Sequence, residues 1–225
     1  MGFIKKSGKG KNKILDFSAN INPLKYKGIK NLLLKNLDSV FYYPDAINKN
    51  TKESIARYLK INPENIMVGN GTSELIYLIA LTFNPKSALI LVPTFSEYER
   101  AMNAVNAKIH FLNLGENFKF PVDKIKDLKG DILFLCNPNN PTGNLLFNRE
   151  EIYEISENFS LVVADESFME FIKDEERQTL IHGVKNKNFI VLRSFSKFFG
   201  LPGLRLGYAV SDKNIIEKLN AHTNP

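Results

Sequence analysis

Short apolar runs alternate with segments of helical periodicity along almost the whole chain. The runs predict seven strands, at 66–68, 88–92, 108–112, 131–136, 161–164, 189–193 and 208–210. The remaining segments predict helices at 32–37, 51–60, 75–83, 93–106, 149–158 and 212–219, with Asn50 or Thr51 as the cap of the second. Continuously apolar strands are typical of a parallel sheet that helices cover on both faces. The sequence therefore predicts an α/β fold, with three layers built around a mostly parallel sheet.

Composition and cysteine content argue against several classes of protein. Of the 225 residues, 44% are hydrophobic and 24% are charged, which is ordinary for a globular domain. No apolar run approaches the length of a membrane span, and the first residues show no secretory signal pattern, so we expect no membrane partner. The single cysteine, Cys136, is expected to be a small buried thiol in a reducing compartment, the cytoplasm. Three scattered histidines predict no metal site.

The net charge of +6 raises the hypothesis of nucleic-acid binding. Lysines cluster near the N-terminus at positions 5, 6, 9, 11 and 13, whereas elsewhere they alternate with acidic residues. A nucleic-acid surface usually shows a basic stripe with interleaved aromatic residues, and this sequence has none. We therefore interpret the lysines as part of a solvated N-terminal arm and expect no nucleic-acid partner.

Polar groups follow four of the predicted strands, at the points where those strands end. They are Gly71-Thr72-Ser73, the segment 137–143, Asp165, and the segment 194–197. In parallel α/β sheets, ligands bind beyond the carboxyl ends of the strands. Because all four groupings fall at that edge, we expect them to form one site.

The chemistry of these groups matches a cofactor that carries both an aldehyde and a phosphate. Lys197 directly follows a strand, where partial desolvation would lower its pKa and make its amine a nucleophile. Ser194, Ser196 and Arg205 offer donors to a phosphate, and the 71–73 turn offers a helix N-terminus. Pyridoxal phosphate has both groups. Two ordinary alternatives stay open: Lys197 as a surface lysine, and the turn as a simple helix cap.

Asp165 is the sharpest test of this interpretation. It directly follows a strand of four apolar residues, where an ionised carboxylate is costly to bury without a cationic partner. The protonated ring nitrogen of pyridoxal phosphate is such a partner, and the pairing makes the ring a better electron sink. A helix cap is the competing interpretation of this aspartate.

These motifs resemble those of the fold-type I pyridoxal-phosphate enzymes, the aspartate aminotransferase superfamily. The resemblance rests on Asn-Pro-Asn-Asn-Pro-Thr-Gly at 137–143, on Asp165-Glu166, and on Ser-Phe-Ser-Lys at 194–197 with Gly-Leu-Arg-Leu-Gly-Tyr at 203–208. Within the superfamily, the chain is most similar to the histidinol-phosphate aminotransferase group. The phrase at 16–24 is similar to the opening of the threonine-phosphate decarboxylases in that group.

The resemblance implies a role for each matched position. Lys197 would bind the cofactor aldehyde and shuttle the proton, and Asp165 would pair with the ring nitrogen. The other implied cofactor contacts are Asn140 to the ring hydroxyl, Phe95 on the ring face, and Gly71, Thr72, Ser73, Ser194, Ser196 and Arg205 to the phosphate. Tyr43 would reach a phosphate in a neighbouring subunit, which implies a homodimer, and Asn20 would lie near the substrate.

Two departures from the family pattern bear on the expected function. Phe168 stands where many of these aminotransferases have a tyrosine, which we take as support for a decarboxylase. Family members also continue past the position of Pro225 into a small C-terminal domain, which we expect this chain to lack as a fragment or truncated product. We expect residues 1–45 to form an N-terminal arm and dimer-contact segment, and 46–225 an incomplete cofactor-binding major domain.

The resemblance predicts an enzyme that acts on a phosphorylated amino acid. A threonine-phosphate decarboxylase-like activity, in cobalamin biosynthesis, is the first hypothesis, and a histidinol-phosphate-type aminotransferase is the alternative. From a different class of function, the chain would be a non-catalytic remnant that at most dimerises or binds cofactor. A basic nucleic-acid-binding module is a third and more distant hypothesis.

Overall fold

One seven-stranded sheet organises the computed structural model, which describes residues 18–24, 26–185 and 188–223. The strands are β1 Ile66–Gly69, β2 Ser87–Val92, β3 Lys108–Asn113, β4 Gly130–Cys136, β5 Phe159–Asp165, β6 Phe189–Ser194 and β7 Gly207–Ser211. Their order is β1-β7-β6-β5-β4-β2-β3. Strand β7 runs antiparallel to both of its neighbours, and every other pair is parallel. The predicted mostly parallel sheet is confirmed.

Eight α-helices connect and cover the strands within the described ranges. They are α1 Ile29–Lys35, α2 Lys49–Leu59, α3 Thr72–Phe83, α4 Glu97–Ala104, α5 Val122–Ile125, α6 Arg149–Ser156, α7 Glu175–Gln178 and α8 Lys213–Asn220. The predicted cap of α2 is wrong: the helix begins after Asn48, which adopts a left-handed conformation and makes no side-chain cap hydrogen bond. Helix α4 begins later than predicted, at Glu97. No helix in these ranges is long and apolar enough to span a bilayer.

Side chains that alternate along the strands build two separate cores, one on each face of the sheet. On the first face, Leu133 and Val162 pack in a cluster with residues of α2, α5 and α6. On the second face, Phe134 and Val163 pack in a cluster with residues of α3, α4 and α8. Because adjacent strand residues point to opposite faces, each apolar run contributes to both cores. The expected three-layer arrangement is thus present.

The segment that precedes α2 contributes little to either core. Helix α1 contains no buried residue, and the large apolar or aromatic side chains from Leu24 to Ile47 that the structure places are mostly exposed. The early lysines, residues 16 and 17 of the phrase at 16–24, and Pro225 lie outside the described residues. The division into 1–45 and 46–225 stays a prediction.

Candidate active site

The carboxyl ends of the parallel strands bring the predicted polar groups together. β4 ends at Cys136, β5 at Asp165 and β6 at Ser194, and these three strands are adjacent in the sheet. A cavity opens at this edge, which we call the cofactor slot. Its walls are formed by Thr72, Phe95, Cys136, Asn140, Asp165, Ser167, Phe168 and Lys197. Five of these residues are predicted site residues: Thr72, Phe95, Asn140, Asp165 and Lys197.

Asp165 is buried in the slot without an ionic partner. It is 3% exposed, and no ion pair within 4.0 Å is found for it among the described residues. One carboxylate oxygen, Oδ2, accepts a hydrogen bond from the Tyr98 hydroxyl at 2.8 Å, and Oδ1 accepts one from the Ser167 backbone N–H at 2.9 Å. Burial raises the pKa of Asp165, while bonds from Ser167 and Tyr98 and the charge of Lys197 oppose that rise.

The competing interpretation of Asp165 as a helix cap is wrong. The bond from Ser167 N–H to Oδ1 closes a turn two residues long, and the next element is a short 3₁₀ turn at Met169–Phe171. That turn is preceded by Phe168, which makes no side-chain cap hydrogen bond. The carboxylate is therefore held at the slot by hydrogen bonds that favour its charged form, and no cation of the described residues lies within 4.0 Å of it.

Lys197 faces the same slot from the loop that follows β6. Its side chain is half-buried, and its Nζ lies 5.6 Å from the centre of the Phe168 ring. Burial lowers the pKa of Lys197, and the charge of Arg205 lowers it further, whereas Asp165 acts in the opposite direction. The ordinary alternative, a freely solvated surface lysine, does not fit this position. A lowered pKa increases the fraction of neutral amine that can attack an aldehyde.

A second part of the site lies where helix α3 begins. Gly71 precedes the helix with φ +88°, and no side chain caps the helix N-terminus. A methyl group at Gly71 would lie 2.6 Å from an Arg205 guanidinium nitrogen, and one at Gly207 would lie 2.8 Å from the Thr72 backbone nitrogen. Gly207 therefore lets β7 lie close against the helix N-terminus, and Gly71 provides the positive φ of the turn beside Arg205. Free N–H groups, the helix dipole and a guanidinium together form an anion site.

Two serines lie just before Lys197: Ser194 at the end of β6, and Ser196 in the loop between β6 and β7, which we call the lysine loop. Ser194 and Ser196 are both buried, and the Ser194 hydroxyl accepts a hydrogen bond from the Ser196 N–H at 3.2 Å. Ser73 is the second residue of α3 and is half-buried. The structure thus places Ser73 on the helix of the anion site and Ser194 and Ser196 on the chain that leads to Lys197, and their contacts to a phosphate stay a prediction.

Two of the remaining predicted residues meet at the rim of the site. The side-chain amide of Asn20 donates to the side-chain oxygen of Asn140 at 3.3 Å. Phe95 lies in the slot wall, in edge-to-face contact with Tyr98. Tyr43 is fully exposed and is not brought to the slot within this chain, so its role in a neighbouring subunit stays a prediction.

Sequence reasoning missed three residues that shape the site. Tyr98 donates a hydrogen bond to Asp165. Its position three residues after Phe95 could have indicated that it lies near the slot. Asn22 ties the N-terminal segment to the lysine loop, through its backbone N–H to the Lys197 carbonyl at 3.1 Å and its side chain to the Phe198 carbonyl at 2.8 Å. Ser167 lines the slot, and no sequence signal distinguished it from a turn residue.

The residues present fit pyridoxal phosphate on observations of this chain alone. The Ser167 hydroxyl is buried beside Asp165, whose pKa it lowers, but it makes no hydrogen bond of standard geometry among the described residues and so has capacity for a bound molecule or water. An amine with a lowered pKa, an unpaired carboxylate and a glycine-lined anion site supply one matched group for each polar end of that cofactor.

Comparison with known proteins decides the family. The family model described as "Aminotransferase class I and II" matches residues 12–225 of this chain. The chain belongs to this family. Membership confirms the superfamily predicted from the motifs at 137–143, 165–166 and 194–208, and it confirms the predicted cofactor, pyridoxal 5'-phosphate.

Curated relatives within the family divide between two activities. The chain is 38% identical over 211 residues to the threonine-phosphate decarboxylase of Salmonella typhimurium, covering 89% of this chain and 57% of that protein. It is 36% identical over 213 residues to the histidinol-phosphate aminotransferase of Methanocaldococcus jannaschii, covering 91% and 57%. The chain therefore spans between half and two thirds of the length of either relative.

Solved structures of this family show the same division. The crystal structure of the histidinol-phosphate aminotransferase from Clostridium acetobutylicum matches with a TM-score of 0.83 and 32% identity, over 94% of this chain and 65% of that one. The L-threonine-O-3-phosphate decarboxylase from Porphyromonas gingivalis matches with a TM-score of 0.83 and 28% identity, over 94% and 64%. The described fold is thus the fold of this family.

Proposed function

We propose that this chain is the cofactor-binding part of a pyridoxal-phosphate enzyme that acts on a phosphorylated amino acid, with threonine-phosphate decarboxylation as its reaction. The observation that carries the proposal is the pairing, in one slot, of a desolvated Lys197 with a buried Asp165 that has no ionic partner in the described chain. Such a pair matches an aldehyde and a ring nitrogen on one small molecule.

Each polar residue of the slot has a distinct part in holding the cofactor. Asp165 provides the anion that a protonated ring nitrogen needs, and its oxygens are already oriented by Tyr98 and Ser167. Asn140 is assigned to the ring hydroxyl, and its side-chain oxygen is held by Asn20. Phe95 provides the apolar wall on the ring face. These contacts orient the ring before the substrate arrives.

The phosphate end is assigned to the start of α3 and to the lysine loop. Gly71, Thr72 and Ser73 offer free N–H groups and hydroxyls at a positive helix end, and Arg205 offers a guanidinium at close range. Ser194, at the end of β6, and Ser196, in the loop that follows it, add hydroxyls. Anchoring the phosphate away from the aldehyde would fix the distance between Lys197 and the reacting carbon.

The chemistry after binding divides between the cofactor and Lys197. When bound, the cofactor supplies an electron sink for the bond that breaks at the substrate α-carbon. Lys197 is the group placed to accept and return a proton, because burial lowers the pKa of its amine and so increases the neutral fraction. The Lys197 amine lies over the ring of Phe168, which has no hydroxyl where a tyrosine would offer one.

The choice of decarboxylation follows from the phrase at 16–24 and from Phe168, and the Salmonella typhimurium relative supports it. The second candidate is a histidinol-phosphate-type aminotransferase, which the Methanocaldococcus jannaschii relative favours at almost the same identity. We further assign the protein to cobalamin biosynthesis in the cytoplasm. In a homodimer, the exposed Tyr43 of the 1–45 segment would reach the phosphate of the neighbouring 46–225 unit.

Absorption spectroscopy of the purified chain with added pyridoxal phosphate tests the proposal. We expect a visible band that borohydride bleaches, that Lys197→Ala abolishes, and that the matched exposed-lysine variant Lys218→Ala retains. Addition of O-phosphothreonine should then release carbon dioxide, whereas amino transfer from histidinol phosphate to a keto acid would support the second candidate. Absence of a Lys197-dependent band would refute cofactor binding by this chain and favour the non-catalytic remnant.

A further inference from the structure

Tyr98 joins two parts of the slot that the proposed function treats separately. It lies in α4 and is fully buried, and its hydroxyl donates to Asp165 Oδ2 at 2.8 Å. Its ring makes an edge-to-face contact with Phe95, with 5.7 Å between ring centres, and it stacks on Phe134 at 5.0 Å. One side chain therefore contacts both the residue assigned to the ring face and the residue assigned to the ring nitrogen.

We infer that Tyr98 is a positioning residue that keeps Asp165 ionised and fixes the direction of its carboxylate, while its ring holds Phe95 in place. The inference rests on the proposed function for what Asp165 is used for. The hydrogen bond itself, and its effect on the charge of Asp165, are properties of the chain without cofactor.

The surroundings of Asp165 explain why this one bond matters. Burial raises the pKa of Asp165, and the titratable or charged groups that face it are Tyr98 from α4, Cys136 from β4 and Lys197 from the loop after β6. Burial also raises the pKa of Cys136 to about 12, and the pKa of Tyr98 lies well above its usual value. Tyr98 is therefore a permanent neutral donor at neutral pH.

Neither Cys136 nor Lys197 replaces this donor. The Cys136 thiol donates to the Pro138 carbonyl at 3.4 Å, and Lys197 makes no ion pair with Asp165 within 4.0 Å in the described chain. The Ser167 side chain also lowers the pKa of Asp165, and on Oδ2 the hydrogen bond from the Tyr98 hydroxyl, at 2.8 Å, stabilises the anion. Removing the hydroxyl should therefore favour the protonated carboxyl, which cannot pair with a protonated ring nitrogen.

The competing explanation is that Tyr98 is only a core residue. Its ring fills space between Phe95 and Phe134, and any large truncation would damage that packing. Tyr98→Phe separates the two roles, because it keeps the aromatic ring and removes the hydroxyl alone. A matched control is Tyr77→Phe, since the half-buried Tyr77 also donates to a carboxylate, Glu97 Oε2 at 3.5 Å, away from the slot walls.

Titration of the cofactor-free chain by NMR, with aspartate carbons labelled at Cγ and the Asp165 signal assigned through Asp165→Asn, decides the inference. Tyr98→Phe should move the Asp165 midpoint upward by about one pH unit, and Tyr77→Phe should leave it in place. A midpoint unchanged by Tyr98→Phe would overturn the inference, whether or not the chain binds cofactor.

The pH dependence of pyridoxal phosphate binding provides a second measurement. Binding needs the Asp165 anion, so affinity should weaken on the acid side, and in Tyr98→Phe this weakening should begin about one pH unit higher. At alkaline pH the two proteins should bind within about threefold of each other. A loss that is equal at every pH would assign Tyr98 to packing and overturn the inference. Failure of the unmodified chain to bind would count against the proposed function, while the NMR result decides the role of Tyr98.

Discussion

Asp165 and Glu166 are adjacent carboxylates at the end of one strand, yet their environments are opposite. The side chain of Glu166 points to the face away from the slot, where the Arg193 guanidinium approaches its Oε2 to 2.8 Å. Thr179 donates to the same oxygen at 2.6 Å, and the Leu180 N–H donates to Oε1 at 2.8 Å. Asp165 receives two neutral donors, and within the described ranges no cation lies within 4.0 Å of it. Glu166 is therefore fully satisfied by the chain, and Asp165 is not.

This difference shows that the sheet keeps its stabilising buried charges on one side and its candidate ligand-binding carboxylate on the other. Arg193 is fully buried one residue before Ser194, and it pairs with Glu170 at 3.1 Å and Glu175 at 2.8 Å in addition to Glu166. The buried network joins the ends of β5 and β6 from behind the slot. A charge that the fold already pairs belongs to structure, whereas a buried charge left short of partners is available for a ligand.

The largest expected effect is that of Arg193→Ala. It would leave several buried carboxylates without their cation, and the free energy of unfolding should fall by about 3–5 kcal/mol. Urea denaturation measures this change. The control is Arg100→Ala, because Arg100 is 69% exposed in its pair with Glu97 and should cost less than about 1 kcal/mol. Equal losses of unfolding free energy in the two variants would mean that the buried network of Arg193 is no more structural than an exposed ion pair.

Thr179→Val should have the next largest effect, about 1–3 kcal/mol of lost stability. The hydroxyl donates to Glu166 and accepts from Arg193 at 3.0 Å, so valine keeps the shape and leaves both charged groups short of a bond. Thr82→Val is the matched control, because the buried Thr82 hydroxyl has no partner in the described residues and its removal should be neutral or stabilising. The comparison needs only the difference between the two unfolding curves.

The strands could be predicted from the sequence because each apolar run is bounded by a turn residue or a polar residue. All seven predicted strands are present, with ends that move by one or two residues.

Helix starts were harder to predict. Helix α2 begins after Asn48 in a left-handed conformation, and no side-chain hydrogen bond marks its first turn. A start of this kind is set by tertiary packing, which local propensity does not encode.

The site was predictable where a reactive residue directly follows a strand, and not where it acts from a helix. Lys197 and Asp165 were found because their positions at strand ends and their chemistry agree. Tyr98 was not, because one tyrosine in an amphipathic helix has the pattern of a core residue. Arg193 within an apolar strand offered an unused signal, since a charge there requires a buried partner such as Glu166.

Asp165→Asn should change stability less than either network variant, and in the opposite direction. The neutral amide removes the cost of burying an unpaired charge, so the free energy of unfolding should rise by up to about 1 kcal/mol. Glu166→Gln, one residue along, should instead lower it by about 1–3 kcal/mol, because it removes the charge opposite Arg193. If both substitutions lower stability equally, Asp165 is a structural carboxylate like its neighbour.

The smallest expected effect is the pH dependence of the stability that Asp165→Asn adds to the chain. The pKa of Asp165 is raised in the folded chain above its value of about 3.9 in the unfolded chain. Below the unfolded value the carboxyl is protonated in both states and burial carries no charge penalty, whereas above the folded value the whole penalty is present. Stability contributed at Asp165 therefore falls as pH rises between the two values.

Urea denaturation from pH 4 to pH 8 measures this effect. The gain in free energy of unfolding from Asp165→Asn, relative to the unmodified chain, should grow over that window and then level off. Both proteins carry the other carboxylates, so their contributions cancel in the difference. The control Asp127→Asn, at an exposed aspartate, reports the effect of losing one surface charge. An advantage that shrinks as pH rises would mean that Asp165 has a stabilising partner, and the slot would then lack the unpaired anion on which cofactor binding depends.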